Sequence, residues 1–234
     1  MSMNCAIMQP TFLPWAGYFN LMSQVDDFIL LDDVQLEKQS WQTRNRLLLN
    51  GEAKWVSLPV KRINLSQSIK ETEFLDSSRW SEKLKRSIQQ NYGKHIHYNA
   101  VLDIMDLLEL QQGDTLSSFN EKVIRGIAKG LGISVNIHRS GDLSISGARS
   151  ERLIAICEHF SAQEYLSPVG SADYLSEDGF VDKTTISLKF QKYEPIPYVQ
   201  KGSQEFISHL SIMDVVANLG WDGAKKYIEG DNDE

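Results

Sequence analysis

Asp32 and Asp33 stand together at the end of an apolar run, 28–31. A carboxylate at the carboxyl end of a buried strand can hold Mg²⁺ against phosphates, hydrogen-bond a sugar hydroxyl, or take a proton from an amine. Adjacent residues on an extended chain point to opposite sides. One of the two is therefore expected to face a crevice as the catalytic carboxylate, and the other to cap the following turn. An Asx turn without a ligand is the alternative. Upstream, a short apolar segment at 5–8 runs into Gln9, Pro10, Thr11, Pro14, Trp15, Gly17 and Tyr18. Two prolines and a glycine make this loop stiff and turn-rich. Gln9 and Thr11 can donate to a phosphate or a sugar. A ligand-binding loop is the favoured reading.

The cationic candidates follow. Residues 37–94 hold twelve lysines and arginines against six carboxylates, in a chain whose net charge is −7. A basic segment inside an acidic protein suits a small anionic ligand better than DNA or RNA, which the whole-molecule field would repel. Gln35, Lys38, Trp41, Arg44, Asn45 and Lys54 are its candidate binding residues. If 38–49 is helical, Trp41, Arg44 and Asn45 share one face, a guanidinium beside an aromatic wall. Lys83, Lys85 and Arg86 read as a solvated helix face. Further on, Tyr165 and Ser167 lead into Gly170, a strand, loop and helix start that can offer backbone N–H groups to an anion. His95-x-His97 lacks a third ligand and reads as a solvated helix start, so no metal site is expected.

These residues need elements to position them. Strands are expected at 5–8, 28–31, 54–60 (with 69–75 able to pair), 133–137, 164–167 and 184–193. Helices are expected at 18–25, 78–92 with Ser77 or Ser78 as N-cap, 101–110, 115–131, 150–160 and 211–219, the last closed by Gly220. Strand, loop, helix and strand within the first thirty residues open a nucleotide-binding α/β fold, with ligands at the carboxyl ends of the strands. The expected architecture is α/β, a Rossmann-like three-layer parallel-sheet core with a helical insertion or subdomain at about 78–131. One domain spans 1–222, followed by an acidic, disordered tail at 223–234.

Composition agrees. With 41 % hydrophobic and 24 % charged residues, the chain is an ordinary globular protein. No apolar run approaches the length of a membrane span and no signal-peptide pattern opens the chain, so membrane insertion is not expected and the expected location is the cytoplasm. Cys5 and Cys157 both lie in apolar patterns and read as core thiols.

QPTFLPWAGYF, DDFILLDDVQ, SWQTRNRLL, KWVSLPV, YLSP, ADYL and LSIMDVVANLG, in that order, resemble the WbqC-like protein family from about Met3 to Gly220. The resemblance implies a bacterial protein of surface-polysaccharide (O-antigen) gene clusters. Such pathways build amino sugars on nucleotide carriers and then decorate the amines. A nucleotide-linked amino sugar is thus the expected substrate, with acyl or aminoacyl transfer to its amine as the expected reaction. A non-catalytic nucleotide-sugar-binding or scaffold protein is the alternative.

The first loop also resembles the H-x-G-H loop of nucleotidyltransferase-like enzymes, with both histidines replaced, by Trp15 and Tyr18. Ser146-Gly147-Ala148-Arg149 is similar to those enzymes' phosphate-gripping S-T-x-I-R segment, which makes Arg149 a candidate. This second resemblance implies ATP with Mg²⁺ as a cosubstrate. The replaced histidines count against it. The oligomeric state stays open between a monomer and a homo-oligomer.

Overall fold

The computed structural model describes residues 3–75 and 79–230. Five parallel strands form one sheet: β1 (Asn4–Met8), β2 (Asp27–Leu30), β5 (Asn136–Arg139), β6 (Glu164–Ser167) and β7 (Ser187–Phe190), in the order β5-β2-β1-β6-β7. The chain lays strands outward from β1 through β2 to β5, then returns to place β6 on the other side of β1. That reversal opens a crevice between the carboxyl ends of β1 and β6, where ligands bind in such sheets.

Burial on both faces sets the layers. In β1, Ala6 enters the larger core with α1 (Ala16–Ser23), α4 (Leu116–Gly130) and α8 (Ile212–Glu229), while Cys5 and Ile7 enter a second core. In β2, Phe28 and Leu30 face the larger core and Ile29 the second. The second core is closed by α5 (Arg149–His159), α6 (Ala172–Glu177) and α7 (Phe180–Lys183). This is the three-layer α/β arrangement that near-continuous apolar strands require. The two thiols are core residues, and they meet: Cys5 Sγ lies 3.4 Å from Cys157 Sγ.

The helical block, α2 (Trp80–Tyr92), α3 (Tyr98–Leu107) and α4, shares one apolar cluster with the sheet and α8. Its Ile88, Val101, Ile104, Phe119 and Val123 are buried in that common core. The N-cap expected at Ser77 or Ser78 and the acidic residues 231–234 lie outside the described residues. No described helix is long and apolar enough to cross a membrane.

Three expectations are corrected. Residues 38–49 do not form a helix: β3 (Arg44–Leu49) pairs antiparallel with β4 (Glu52–Ser57). Asn50 and Gly51 join them with φ of 55° and 77°, the two-residue turn whose backbone twist matches a hairpin. Residues 69–75 add no strand to it and make only single bridges, Val60 with Phe74 among them. His95 is buried against Tyr92, ring centroids 5.0 Å apart, rather than solvated.

Gly220 ends one helical segment, but the chain continues in α8 to Glu229. Residues 223–229, expected in a disordered tail, are therefore helical, with Ala224, Tyr227 and Ile228 buried. The Gly220 φ of 71° and ψ of −178° lie in a region that only glycine occupies readily. A Cβ there would also come within 2.8 Å of the His97 ring. Gly220→Ala is expected to cost about 1–3 kcal/mol, read as a melting temperature lower by roughly 2–4 °C per kcal/mol. An unchanged melting temperature would refute the conformational role.

Candidate functional site

A cavity of about 470 Å³ opens at the crevice between β1 and β6. Its first wall is the loop after β1, with Gln9, Thr11, Pro14, Trp15 and Tyr18. The second is the segment around β6, with Tyr165, Pro168, Ser171 and Tyr174, backed by Leu153 of α5. Glu37, Ser40, Trp41, Gln42, Asn45 and His209 line the rest, with the strand-end residues Ile7, Met8 and Leu31.

The first wall is pinned through its backbone. Asn45 Nδ2 donates to the carbonyls of Phe12 (3.0 Å) and Leu13 (2.7 Å). Asn120 Nδ2 donates to those of Pro10 and Gln42, both at 2.9 Å. The Phe12 N–H donates to Trp41 O, and the Ile212 N–H to Pro14 O. Phe12 and Leu13 are wholly buried, and Leu13 takes a φ of 44°. Gly17 serves packing here. A Cβ on it would lie 2.2 Å from the Trp15 ring, so only glycine lets that indole fold back over α1. Trp15 then stacks on His209, with centroids 4.6 Å apart. Gln42 Nε2 donates to Gln9 Oε1, and the Tyr18 hydroxyl donates to Gln9 O at 3.2 Å.

The structure gathers Gln9, Thr11, Pro14, Trp15, Tyr18, Trp41, Asn45 and Tyr165 around one cavity. Pro10 and Gly17 support that wall from behind it, and Ser167 Oγ lies 3.3 Å from the Tyr165 hydroxyl under the second wall. Gly170 sits on the short turn Val169–Ser171, next to the wall residue Ser171. Asp32 and Asp33 are elsewhere. Asp32 is buried and accepts from Ser117 Oγ at 2.6 Å and from the Gly141 N–H at 2.8 Å. Asp33 accepts from Ser140 Oγ at 2.6 Å and pairs with Arg152 of α5. Together they bolt β2 to α4, to the 140–142 turn and to α5, and neither is in the cavity wall. Gln35 donates to Leu65 O, Lys54 pairs with Glu52, and Lys38 is an exposed residue outside the wall.

Glu37, Ser40, Gln42, Pro168, Ser171, Tyr174 and His209 are wall residues that sequence reasoning missed. Gln42 had one usable signal, its place directly after the candidate Trp41. His209 had none, because most of the chain separates it from Trp15. Burial and, after it, the Arg46 charge lower the His209 pKa, which favours the neutral imidazole. Its Nδ1 lies 2.9 Å from Ser208 Oγ. Burial raises the pKa of Tyr18, Tyr165 and Tyr174, so all three stay phenols. The wall has no lysine or arginine among the described residues.

ATP does not fit as the nucleotidyltransferase resemblance implies. The N-terminus of α5, where Arg149 and Ser150 would grip phosphates, already holds a carboxylate. Asp178 accepts from Arg149 Nε at 2.9 Å and from Ser150 Oγ at 3.0 Å. Both oxygens of Asp32, the nearest counterpart of a metal-binding aspartate, are engaged as well. Neither half of an ATP–Mg²⁺ site of that kind is free to take its ligand. No group of three or more His, Cys, Asp or Glu side chains that could hold a metal occurs among the described residues.

The WbqC-like protein family model matches residues 9–226, from the first loop to the second segment of α8. The chain belongs to the WbqC-like protein family. It is also 31 % identical over 217 residues to the uncharacterized protein Rv1507c of Mycobacterium tuberculosis, covering 92 % of this chain and 93 % of that protein. No solved structure matches the chain. The family match begins at Gln9, so the pinned loop and most of the cavity wall fall within it.

Asn120→Ala is expected to strand the carbonyls of Pro10 and Gln42, costing about 1–3 kcal/mol for each buried group left unpaired. Urea denaturation reads this as a lower midpoint at an unchanged slope. A midpoint equal to that of the unaltered protein would show that the loop does not depend on this side chain.

Proposed function

We propose that this WbqC-like protein modifies the amine of a nucleotide-linked amino sugar in bacterial surface-polysaccharide assembly, by acyl or aminoacyl transfer. One observation carries the reading. The cavity at the topological switch point is walled by amides, hydroxyls and aromatic rings, with Glu37 and His209 as its only non-phenolic titratable groups among the described residues. Amide and hydroxyl groups suit sugar hydroxyls, and Trp15, Trp41 and the tyrosines suit the apolar faces of a sugar ring. In the proposed step the sugar amine attacks the carbonyl of an acyl thioester or mixed anhydride. The new C–N bond forms, the thiolate or phosphate leaves, and a proton passes from the nitrogen to the neutral His209 imidazole. The family resemblance supports the substrate class and the pathway, and the cavity wall supports the choice of base.

A second reading is a nucleotide-sugar-binding protein without chemistry. It is favoured by the engagement of Asp32 and Asp33 in structural contacts.

A thermal-shift and turnover comparison separates the two. A UDP- or dTDP-linked amino sugar at about 100 times its dissociation constant is expected to stabilise the protein by about 2.7 kcal/mol. Gln9→Ala is expected to abolish most of that shift. His209→Gln is expected to keep the shift while lowering turnover with an acyl thioester by roughly 10²-fold or more. A shift without turnover for any donor would leave the binding reading. No shift with any amino sugar would refute both.

A further inference from the structure

The cavity wall carries a carboxylate and no fixed cation, yet two guanidiniums stand just outside it. Arg44 and Arg46 are two residues apart on β3 and share one face of the hairpin. Arg44 lies over the Trp55 ring at 4.1 Å, and Arg46 lies over the same ring at 6.0 Å. Trp55 meets Trp41, a cavity-wall residue, with ring centroids 5.1 Å apart. Arg46 Nη2 donates to the carbonyls of Ser208 and His209, and His209 is also in the wall. The pair therefore sits at the cavity mouth, behind Trp41 on one side and His209 on the other.

Four other cations of the basic segment are engaged elsewhere. Lys54 pairs with Glu52, Lys61 with Glu73 and Arg86 with Glu82, and Arg62 donates to Leu36 O. Among the described residues the Arg44 guanidinium has no hydrogen bond and no carboxylate partner, and that of Arg46 has only the two carbonyls. Their Nε atoms are both buried without a hydrogen-bond partner. Stacking on Trp55 occupies the face of the Arg44 guanidinium and leaves its Nη edge for a planar, bidentate acceptor. A cation held in this way, without a counter-charge, is preorganised for an oxyanion.

We propose that the Arg44–Trp55–Arg46 stack is the diphosphate subsite of the cavity, and that Trp41, half exposed, offers its open face to the base of the same nucleotide. This deepens the reading above, and rests on it for the sugar alone. It fixes the direction in which the ligand lies. The amino sugar enters the cavity beside Glu37 and His209, and the nucleoside diphosphate stays at the mouth, where the positive charge is. The basic segment noticed in the sequence thus acts through two of its arginines.

Isothermal titration of the full chain with UDP, dTDP and the methyl glycoside of a 4-amino sugar tests this. Arg44→Gln is expected to weaken UDP or dTDP by about 10- to 100-fold, the loss of one charge-assisted contact, and to leave the glycoside within about twofold. Arg44→Met keeps the stem against Trp55 and loses the charge, so a matching loss there separates charge from folding. Lys54→Gln, on the same hairpin but already paired, is expected to change neither ligand. Unchanged UDP and dTDP affinity in both Arg44 variants would overturn the subsite. Glycoside binding without nucleotide binding by the unaltered protein would also overturn it, while sparing the sugar-binding cavity. Binding of none of the three would remove both.

Discussion

Once the chain leaves β1, it runs through the interior, and its peptide groups must find partners there. A buried loop carries polar backbone that neither helix nor sheet satisfies, and each orphan would cost as much as a lost hydrogen bond. Here the carbonyls of Pro10, Phe12, Leu13 and Pro14 are met by Asn120, Asn45 and the Ile212 N–H. Those donors come from α4, β3 and α8. Three elements distant in sequence are therefore obliged to converge on one loop. The cavity is the space their convergence leaves.

The same constraint explains what the two aspartates do. A carboxylate at the end of β2 can serve a ligand only if its oxygens are free. Asp32 and Asp33 instead commit theirs to Ser117, Gly141, Ser140 and Arg152, closing the α4 and α5 sides of the sheet. The α5 N-terminus is likewise occupied from within, by Asp178. Two positions that a nucleotide-binding fold commonly gives to phosphates and metals are here structural. The guanidinium without a carboxylate partner stands instead on the hairpin, and the cavity wall carries Glu37 and His209. The fold is Rossmann-like, and its strand-end carboxylates serve the fold itself.

Much of this was legible in the residues. The β1–α1–β2 opening, the apolar strands and Thr115, which caps α4 by accepting from the Ser118 N–H, follow from local pattern. So did the stiffness of the loop, because two prolines and a glycine in so short a stretch restrict the backbone. The hairpin was also legible, in Asn50-Gly51, but helical spacing at Trp41, Arg44 and Asn45 competed with it. Spacing of three and four arises by chance in a short segment, whereas a turn demanding two positive φ angles does not. The buried state of His95 was not legible, since it depends on how the chain folds back against Tyr92.

The sequence by itself determined the class of fold, the place of the stiff loop after β1 and the family, because apolar periodicity, turn chemistry and motif order are local properties of a chain. Tertiary structure alone decided which polar groups are free. Whether a carboxylate or a guanidinium can meet a ligand depends on who else reaches it, and Ser117, Arg152 and Trp55 reach theirs from other elements of the fold. That is why Asp33 left the candidate site, why His209 entered it, and why the Arg44 guanidinium, on the hairpin, is left without a counter-charge.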